Sequence, residues 1–207
     1  MKILIICENY CYDQYIVQPI IKAMFEKLGV SRTEVRVCQD PSIRCVSQAT
    51  DVNKLIPLIE RYKKSVDIFL LCIDRDGKEK NERNLQECQL SINNKYSNRV
   101  IFLSELALQE IEVWILAGHD KFEEWRRQRA TSTTGYTWEE IRLKESNPKE
   151  AYYEPFAKYL GIFNRGRLGG GRKELGEEAA KNYERIRRLC QEDVLNLENR
   201  IKITLNL

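Results

Sequence analysis

Acidic residues follow three of the apolar runs in this sequence, at the points where predicted strands end. Glu8 comes directly after the first run, and the pair Asp74 and Asp76 follows the third in the sequence Cys-Ile-Asp-Arg-Asp-Gly. The fourth run is followed by three more carboxylates, Glu105, Glu110 and Glu112. In a parallel α/β sheet, ligands bind beyond the carboxyl ends of the strands. These acidic residues are therefore candidates for one shared site.

Grouped carboxylates are a common way to bind a hard divalent cation. Alternate residues of an extended chain point the same way, so Asp74 and Asp76 can share one ion. Carboxylates that lie together repel one another, and a cation removes that repulsion. The other interpretation is that each acidic residue is a solvated loop residue or a helix cap. It explains any single position equally well, but it explains Glu8 together with Asp74 and Asp76 less well.

The composition narrows the choice of metal, compartment and partner. His119 is the only histidine and none of the seven cysteines forms a Cys-x-x-Cys pair, which argues against zinc and leaves Mg²⁺ or Mn²⁺ as the expected cofactor. An odd number of cysteines, several within apolar runs, is typical of the reducing cytoplasm. No apolar run approaches the roughly 20 residues of a membrane helix, and no targeting segment is expected. The net charge is only +3, so nucleic-acid binding would depend on local basic patches.

The order of the predicted elements indicates an α/β fold over residues 1–118. Strands are predicted over residues 2–7, 33–38, 66–73 and 99–103, and helices over 13–28, 51–64 and 80–96. This alternation of strand and helix is typical of a parallel four-stranded sheet with helices on both faces. The third strand is nearly all apolar, which favours a central position.

The sequence changes character after residue 118 and predicts a helical C-terminal region over 119–207. A capping box, Thr137-Trp-Glu-Glu140, starts one helix, and Asn147-Pro-Lys starts another. Longer helices are predicted over 174–190 and 192–201. The exception is the tail 201–207, whose pattern also allows a strand.

The ordered set of acidic motifs resembles a Toprim domain. It consists of Glu8 after the first strand, Asp74-x-Asp76 after the third, and the run Glu-Ile-Glu-Val-Trp-Ile-Leu-Ala over residues 110–117. The sequence is most similar to small bacterial Toprim-like proteins related to the OLD-family nucleases. The similarity covers roughly the first 118 residues, and it implies a Rossmann-like Toprim fold for them.

The resemblance also implies Mg²⁺-dependent cleavage of nucleic acid. Asp74 and Asp76 would hold a metal ion, and Glu8 would hold a second ion or act as the general base toward the attacking water. Glu112 would complete the catalytic shell, and Glu110 would be its neighbour in the metal site. The ions would stabilise the attacking and leaving oxygens of an in-line displacement.

Three positions fit this pattern less closely. Asn9 stands where the family has a glycine, although asparagine tolerates a left-handed backbone. Asp13 lies one residue later than the acidic position of the family and is expected to cap the first helix. Glu105 is expected on a helix surface or at a helix cap.

The biological setting follows from the same resemblance. It implies a nuclease in bacterial defence against foreign DNA, with DNA favoured over RNA as the substrate. Many such proteins act with an ATPase, and because this sequence has no ATPase motif, a separate ATPase partner is expected. The alternative is a non-catalytic subunit that binds nucleic acid or regulates such a complex. Self-association of the chain stays open.

Two basic stretches are candidates for contacts with nucleic-acid phosphates. The first contains Arg126, Arg127 and Arg129. The second is the glycine-rich stretch 166–173, which nearly spells a P-loop but lacks its lysine and its Ser/Thr. Its candidate residues are Arg167, Arg172 and Lys173. The alternative explanations are a charged helix face for the first stretch and a solvated linker for the second.

Aromatic residues at helical spacing lie between these two basic stretches. They are Tyr152, Tyr153, Phe156 and Tyr159. Such residues belong to a core or an interface more often than to a platform on which bases stack.

Overall fold

A computed structural model describes residues 1–75, 78–97, 99–129, 137–143, 147–163 and 171–207. The chain forms one four-stranded parallel sheet flanked by helices, and a helical C-terminal region follows. The α/β fold class predicted from the sequence is therefore confirmed. Within the described ranges, no helix is both long enough and apolar enough to cross a membrane.

The sheet positions the carboxyl ends of its two central strands side by side. Its strands are β1 (Lys2–Cys7), β2 (Glu34–Val37), β3 (Ile68–Asp74) and β4 (Ile101–Ala107), and their spatial order is β2-β1-β3-β4. The chain leaves β1 toward one edge of the sheet and leaves β3 toward the other edge. In open α/β sheets the crevice at such a switch point is where ligands bind. That crevice lies between the ends of β1 and β3.

Helices cover both faces of the sheet. The first part of the chain forms α1 (Tyr10–Lys27), α2 (Val46–Ala49), α3 (Val52–Tyr62), α4 (Glu79–Tyr96) and α5 (Glu112–Gly118). The C-terminal region forms α6 (Lys121–Arg129), α7 (Trp138–Leu143), α8 (Glu154–Tyr159), α9 (Arg172–Lys181), α10 (Tyr183–Leu189) and α11 (Asn196–Leu205). Two π-helical segments, Lys149–Tyr153 and Gln191–Leu195, lead directly into α8 and α11.

The sheet separates two hydrophobic clusters, and alternate residues of β1 contribute to each. Ile3 and Ile5 pack with α1, α5 and the C-terminal helices, whereas Leu4 and Ile6 pack with α3 and α4. Since the side chains of a strand alternate between its faces, an all-aliphatic strand can serve both layers. The domain boundary at residue 118 stays a prediction. In space, residues from both sides of it pack in the first cluster.

The C-terminal tail corrects one interpretation of the sequence. It is the helix α11, not a strand. Leu197 and Ile201, one helical turn apart, are fully buried, whereas Ile203 is 77% exposed. Burial therefore follows the helical period, and the β-branched residues of the tail do not decide its conformation.

Two predictions about helix boundaries have different outcomes. The single helix predicted over 174–190 is wrong, because α9 and α10 are separate helices that meet at Asn182. The amide of Asn182 donates a hydrogen bond to the carbonyl oxygen of Gly118 at 2.9 Å, which fixes this break against the end of α5.

The capping box predicted at the start of α7 is confirmed. The Thr137 N–H donates to Glu140 Oε2 at 2.7 Å, and the Glu140 N–H donates to Thr137 Oγ1 at 3.3 Å.

A close helix contact places α9 against α1. A β-carbon on Gly176 would clash with the main-chain carbonyl oxygen of Tyr15, so only glycine lets the two backbones approach this closely. At the start of the same helix, α9 carries Arg172 to the end of the sheet where the strands terminate. This packing therefore positions a charged residue as well as the helix.

We expect Gly176→Ala to lower the free energy of unfolding by about 2 kcal/mol, because the added methyl group forces α9 away from α1. The matched control is Glu177→Ala on the exposed side of the same helix, which should change that free energy by less than about 0.5 kcal/mol. Urea denaturation of both variants measures the difference. Equal stability of the two variants would contradict the close contact.

Candidate active site

The carboxyl ends of β1 and β3 open into a cavity of about 530 Å³. Acidic residues line much of its wall: Glu8, Asp13, Asp74, Glu110, Glu112 and Glu154. Its basic residues are Arg44, Lys149 and Arg172. We call this space the carboxylate cavity. It occupies the switch point at which the sheet topology favours a ligand site.

Glu8 and Asp74 meet because their strands are neighbours in the sheet. Cys7 pairs with Cys72 in the parallel register, so Glu8, directly after β1, and Asp74, the last residue of β3, lie at the same end of adjacent strands. The Asp74 N–H donates to Glu8 Oε1 at 3.1 Å. Asp74 Oδ1 in turn accepts the N–H of Ile111 at 2.8 Å. Asp74 thereby ties β3 to the turn that begins α5, the helix that carries Glu112.

Asp13 belongs to this cavity, although the sequence indicated only a helix cap. It lies in the first turn of α1, and its Oδ2 accepts the N–H of Asn9 at 2.9 Å, so it does stabilise the helix start. Burial raises its pKa to about 7, and the charges of Glu112 and Glu8 act in the same direction. Its position five residues after Glu8, at the start of a helix that follows a strand, was the available sequence signal.

The carboxylates of the cavity share one electrostatic environment. Burial raises the pKa of Asp74 well above its usual range, and the nearby charges of Glu112, Glu8 and Asp13 raise it further. The hydrogen bond from Ile111 acts in the opposite direction. Like charges disfavour one another's ionised forms when they lie close together. The raised pKa values of Asp13 and Asp74 therefore have the same two causes, burial and the neighbouring carboxylates.

Glu112 is neutralised by a buried ion pair with Arg172. The Arg172 Nε lies 3.2 Å from Glu112 Oε1, and its Nη2 contacts the same oxygen. The two side chains are only 9% and 7% exposed. The guanidinium also lies 5.4 Å from the ring centre of Tyr12 and 5.2 Å from that of Tyr153. The role of Arg172 in binding a phosphate stays a prediction, and it would require the phosphate to enter the carboxylate cavity.

Glu110 and Glu105 occupy different environments. Glu110 lines the cavity, and its Oε2 accepts the N–H of Lys149 at 2.7 Å, where a π-helical segment begins. Glu105 does not follow a strand, because β4 continues to Ala107. It lies outside this cavity, beside Arg200 at 3.2 Å, and burial raises its pKa to about 8 against the opposing charge of that arginine. The prediction that Glu105 lies on a helix surface or at a helix cap is thus wrong.

The donor chemistry of the cavity fits a hard divalent cation, because carboxylate oxygens are the preferred ligands of Mg²⁺ and Mn²⁺. Within the part of the chain that the structure describes, however, no three Asp, Glu, Cys or His side chains lie close enough to hold a metal ion. One reason is visible at Glu112, whose charge is already satisfied by Arg172. Asp76, predicted as a metal ligand, lies outside the described residues.

Four further basic candidates are described by the structure, and none of them lines the carboxylate cavity. Arg126 is half-buried and pairs with Glu123 at 2.8 Å, whereas Arg127, Arg129 and Lys173 are exposed. Arg167 lies outside the described residues. Contacts of these side chains with nucleic acid stay predictions.

Comparisons with protein families, with curated proteins and with solved structures find no match for this chain. The resemblance to Toprim proteins therefore rests on the motifs of the sequence alone.

Proposed function

We propose that this protein is a Toprim-like nuclease that hydrolyses phosphodiester bonds with Mg²⁺ or Mn²⁺. The observation that carries the proposal is the convergence of Glu8, Asp13, Asp74 and Glu112 on one cavity at the carboxyl ends of the central strands. Arg172 already compensates Glu112, but placing the other three carboxylates together costs free energy. A bound cation removes that cost, and metal-assisted phosphoryl transfer is a chemistry that uses such a group.

Each residue has a role in this proposal. When bound, the cation stabilises negative charge on the phosphodiester as the in-line displacement proceeds. Glu8 and Asp74, at the ends of two adjacent strands, would hold the cation, and the resemblance implies Asp76 as a further ligand. Glu8 also has the chemistry to accept a proton from the attacking water. Arg172 fixes Glu112 and keeps one positive charge inside the cavity, where a phosphate oxygen of the substrate would enter.

The proposal extends to a biological setting. We place the protein in the cytoplasm, because all seven cysteines are unpaired and five of them are buried. Its substrate is nucleic acid, with DNA favoured over RNA, and its role is defence of a bacterium against foreign DNA. An ATPase encoded elsewhere is the proposed partner. These points rest on the motif resemblance.

A second candidate function is a non-catalytic subunit that binds nucleic acid in such a complex. The ion pair between Arg172 and Glu112 favours it, because the guanidinium supplies positive charge that a metal ion would otherwise provide. The two candidates differ in one measurable property. Only the nuclease requires a divalent cation to act on its substrate.

The test is cleavage of labelled single-stranded and duplex DNA and RNA with Mg²⁺, with Mn²⁺ and with EDTA. We expect cleavage with a divalent cation and none with EDTA. Glu8→Gln should slow it by at least about a hundredfold, because it removes a ligand or general base. The exposed Glu177→Gln is the matched control and should cleave at the wild-type rate. Cleavage that persists in Glu8→Gln would remove the carboxylate cavity from the mechanism.

A further inference from the structure

Aromatic and cationic side chains lie on α6, on α8 and directly after α8, where Phe163 reaches the carboxylate cavity. Phe163 lines the cavity, and the ammonium of Lys158 lies 5.0 Å from its ring centre. Tyr159 follows on α8, and its ring centre lies 6.5 Å from that of Trp125. The guanidinium of Arg129 lies 5.0 Å from the ring centre of Trp125. Trp125 itself is buried, so it supports Tyr159 and Arg129 from below. We call these five residues the aromatic strip.

The end of α8 explains how the strip reaches the cavity. Gly161 has a left-handed backbone with φ of 69°, and its N–H donates to the carbonyl oxygen of Lys158 at 3.0 Å. The N–H of Ile162 donates to the carbonyl oxygen of Ala157 at 3.0 Å. These two bonds form a Schellman motif, which ends a helix and reverses the chain. The reversal brings Phe163 back toward Lys158 and over the cavity.

The cations of the strip are available to an anionic partner. Lys158 and Arg129 are both exposed, and neither forms an ion pair with a carboxylate in the described part of the chain. Arg126, on the same helix as Arg129, differs because it pairs with Glu123. A cation that has no carboxylate partner can contact a phosphate without first breaking an ion pair.

Tyr159 is the exposed aromatic residue of an otherwise buried group. Tyr152, Tyr153 and Phe156 are buried, as the sequence favoured, but Tyr159 is 52% exposed. Its ring stacks on that of Phe156, with the centres 6.5 Å apart and the planes 19° from parallel. This contact fixes the orientation of the ring while half of its surface faces solvent. An exposed ring that packs against another ring is a platform on which a base can stack.

We propose that the aromatic strip binds single-stranded nucleic acid and directs the strand into the carboxylate cavity, an inference that rests on the proposed nuclease function and names its substrate class. Stacking on Tyr159 requires a base with a free face, which a continuous duplex does not offer. Lys158 and Arg129 would take the phosphates on either side of that base. DNA and RNA share this chemistry, so the same surface can receive either.

The test is binding measured by fluorescence anisotropy in EDTA, with labelled oligothymidine, oligouridine and a duplex of equal length. EDTA prevents metal-dependent cleavage, so binding is measured whether or not the protein is a nuclease. We expect a single strand to bind at least about tenfold more tightly than the duplex. Comparison of oligothymidine with oligouridine identifies DNA or RNA as the preferred strand.

Variants of the strip separate stacking from charge. Tyr159→Ala should weaken binding of the single strand at least about fivefold, and Tyr159→Phe should retain it. Arg129→Ala should weaken binding and reduce the slope of log affinity against log salt by about 0.7. The matched control is Arg61→Ala. Arg61 also lies beside an aromatic ring, with its guanidinium 6.0 Å from the ring centre of Tyr62, but Tyr62 packs on the opposite face of the sheet.

Three results would overturn the inference: equal or tighter binding of the duplex, unchanged binding by Tyr159→Ala, or no binding of single strands. Failure of the proposed nuclease function alone would give a different set of results. Wild-type protein would still bind the single strand, and Tyr159→Ala would still weaken that binding, but no divalent cation would produce cleavage.

Discussion

Asp74→Asn is expected to reduce metal-dependent cleavage by at least about a thousandfold, because it removes charge from the end of β3, where the proposed cation binds. The same variant should fold normally, since the asparagine oxygen can still accept the N–H of Ile111. Rates measured with Mn²⁺ at saturating substrate, and thermal unfolding measured in EDTA, give the two results.

The expected effect of Asp74→Asn on stability is opposite in sign to its effect on activity. The pKa of Asp74 is raised in the folded protein, so ionising this carboxylate favours the unfolded state as the pH rises above the usual range of an aspartate. A neutral asparagine removes that cost. In EDTA near neutral pH the variant should therefore be at least as stable as the wild type. A variant that is inactive because it is unfolded would contradict this account.

Arg172→Met is expected to lower the free energy of unfolding by about 3 to 5 kcal/mol, because it leaves Glu112 charged and buried without its partner. Methionine retains much of the aliphatic packing between Tyr12 and Tyr153, so the loss reports mainly on charge. The double variant with Glu112→Gln should recover most of that stability. Glu112→Gln alone should be milder than Arg172→Met, since the charge of Asp13 still faces Arg172.

Divalent cations provide a second readout for Arg172→Met. If the guanidinium supplies charge that a metal ion can replace, then Mn²⁺ should raise the melting temperature of Arg172→Met more than that of the wild type. Chemical denaturation and thermal unfolding with and without Mn²⁺ measure these effects. Wild-type stability of Arg172→Met in EDTA would contradict the buried ion pair.

Much of the sheet was predictable because its two central strands, β1 and β3, are short and nearly all apolar. The predicted bounds of β1 agree with the structure, and the other three strands lie within a few residues of their predicted positions. The largest error was at the end of β4, which continues four residues beyond its predicted end at residue 103 and so includes Glu105. A charged residue there indicated the end of the strand, but Arg200, from a helix about a hundred residues later, compensates its burial.

The order of the predicted strands was enough to predict four of the acidic residues of the site. Glu8, Glu110 and Glu112 follow strands and Asp74 ends one, and all four line the carboxylate cavity. The position of Arg172 depends on tertiary packing, so no local sequence pattern could predict it. Arg172 enters the cavity because α9 rests on α1 through Gly176, and its pairing with Glu112 joins residues 60 positions apart.

The most direct test of the account is Mn²⁺ binding to the purified protein, measured by isothermal titration calorimetry. Wild-type protein should bind Mn²⁺, and Asp74→Asn should abolish that binding. Glu105→Gln, which changes a buried carboxylate outside the carboxylate cavity, should bind as the wild type does. Absence of Mn²⁺ binding by the wild type, or binding that Asp74→Asn leaves unchanged, would contradict the central claim that the carboxylate cavity is a metal-dependent active site.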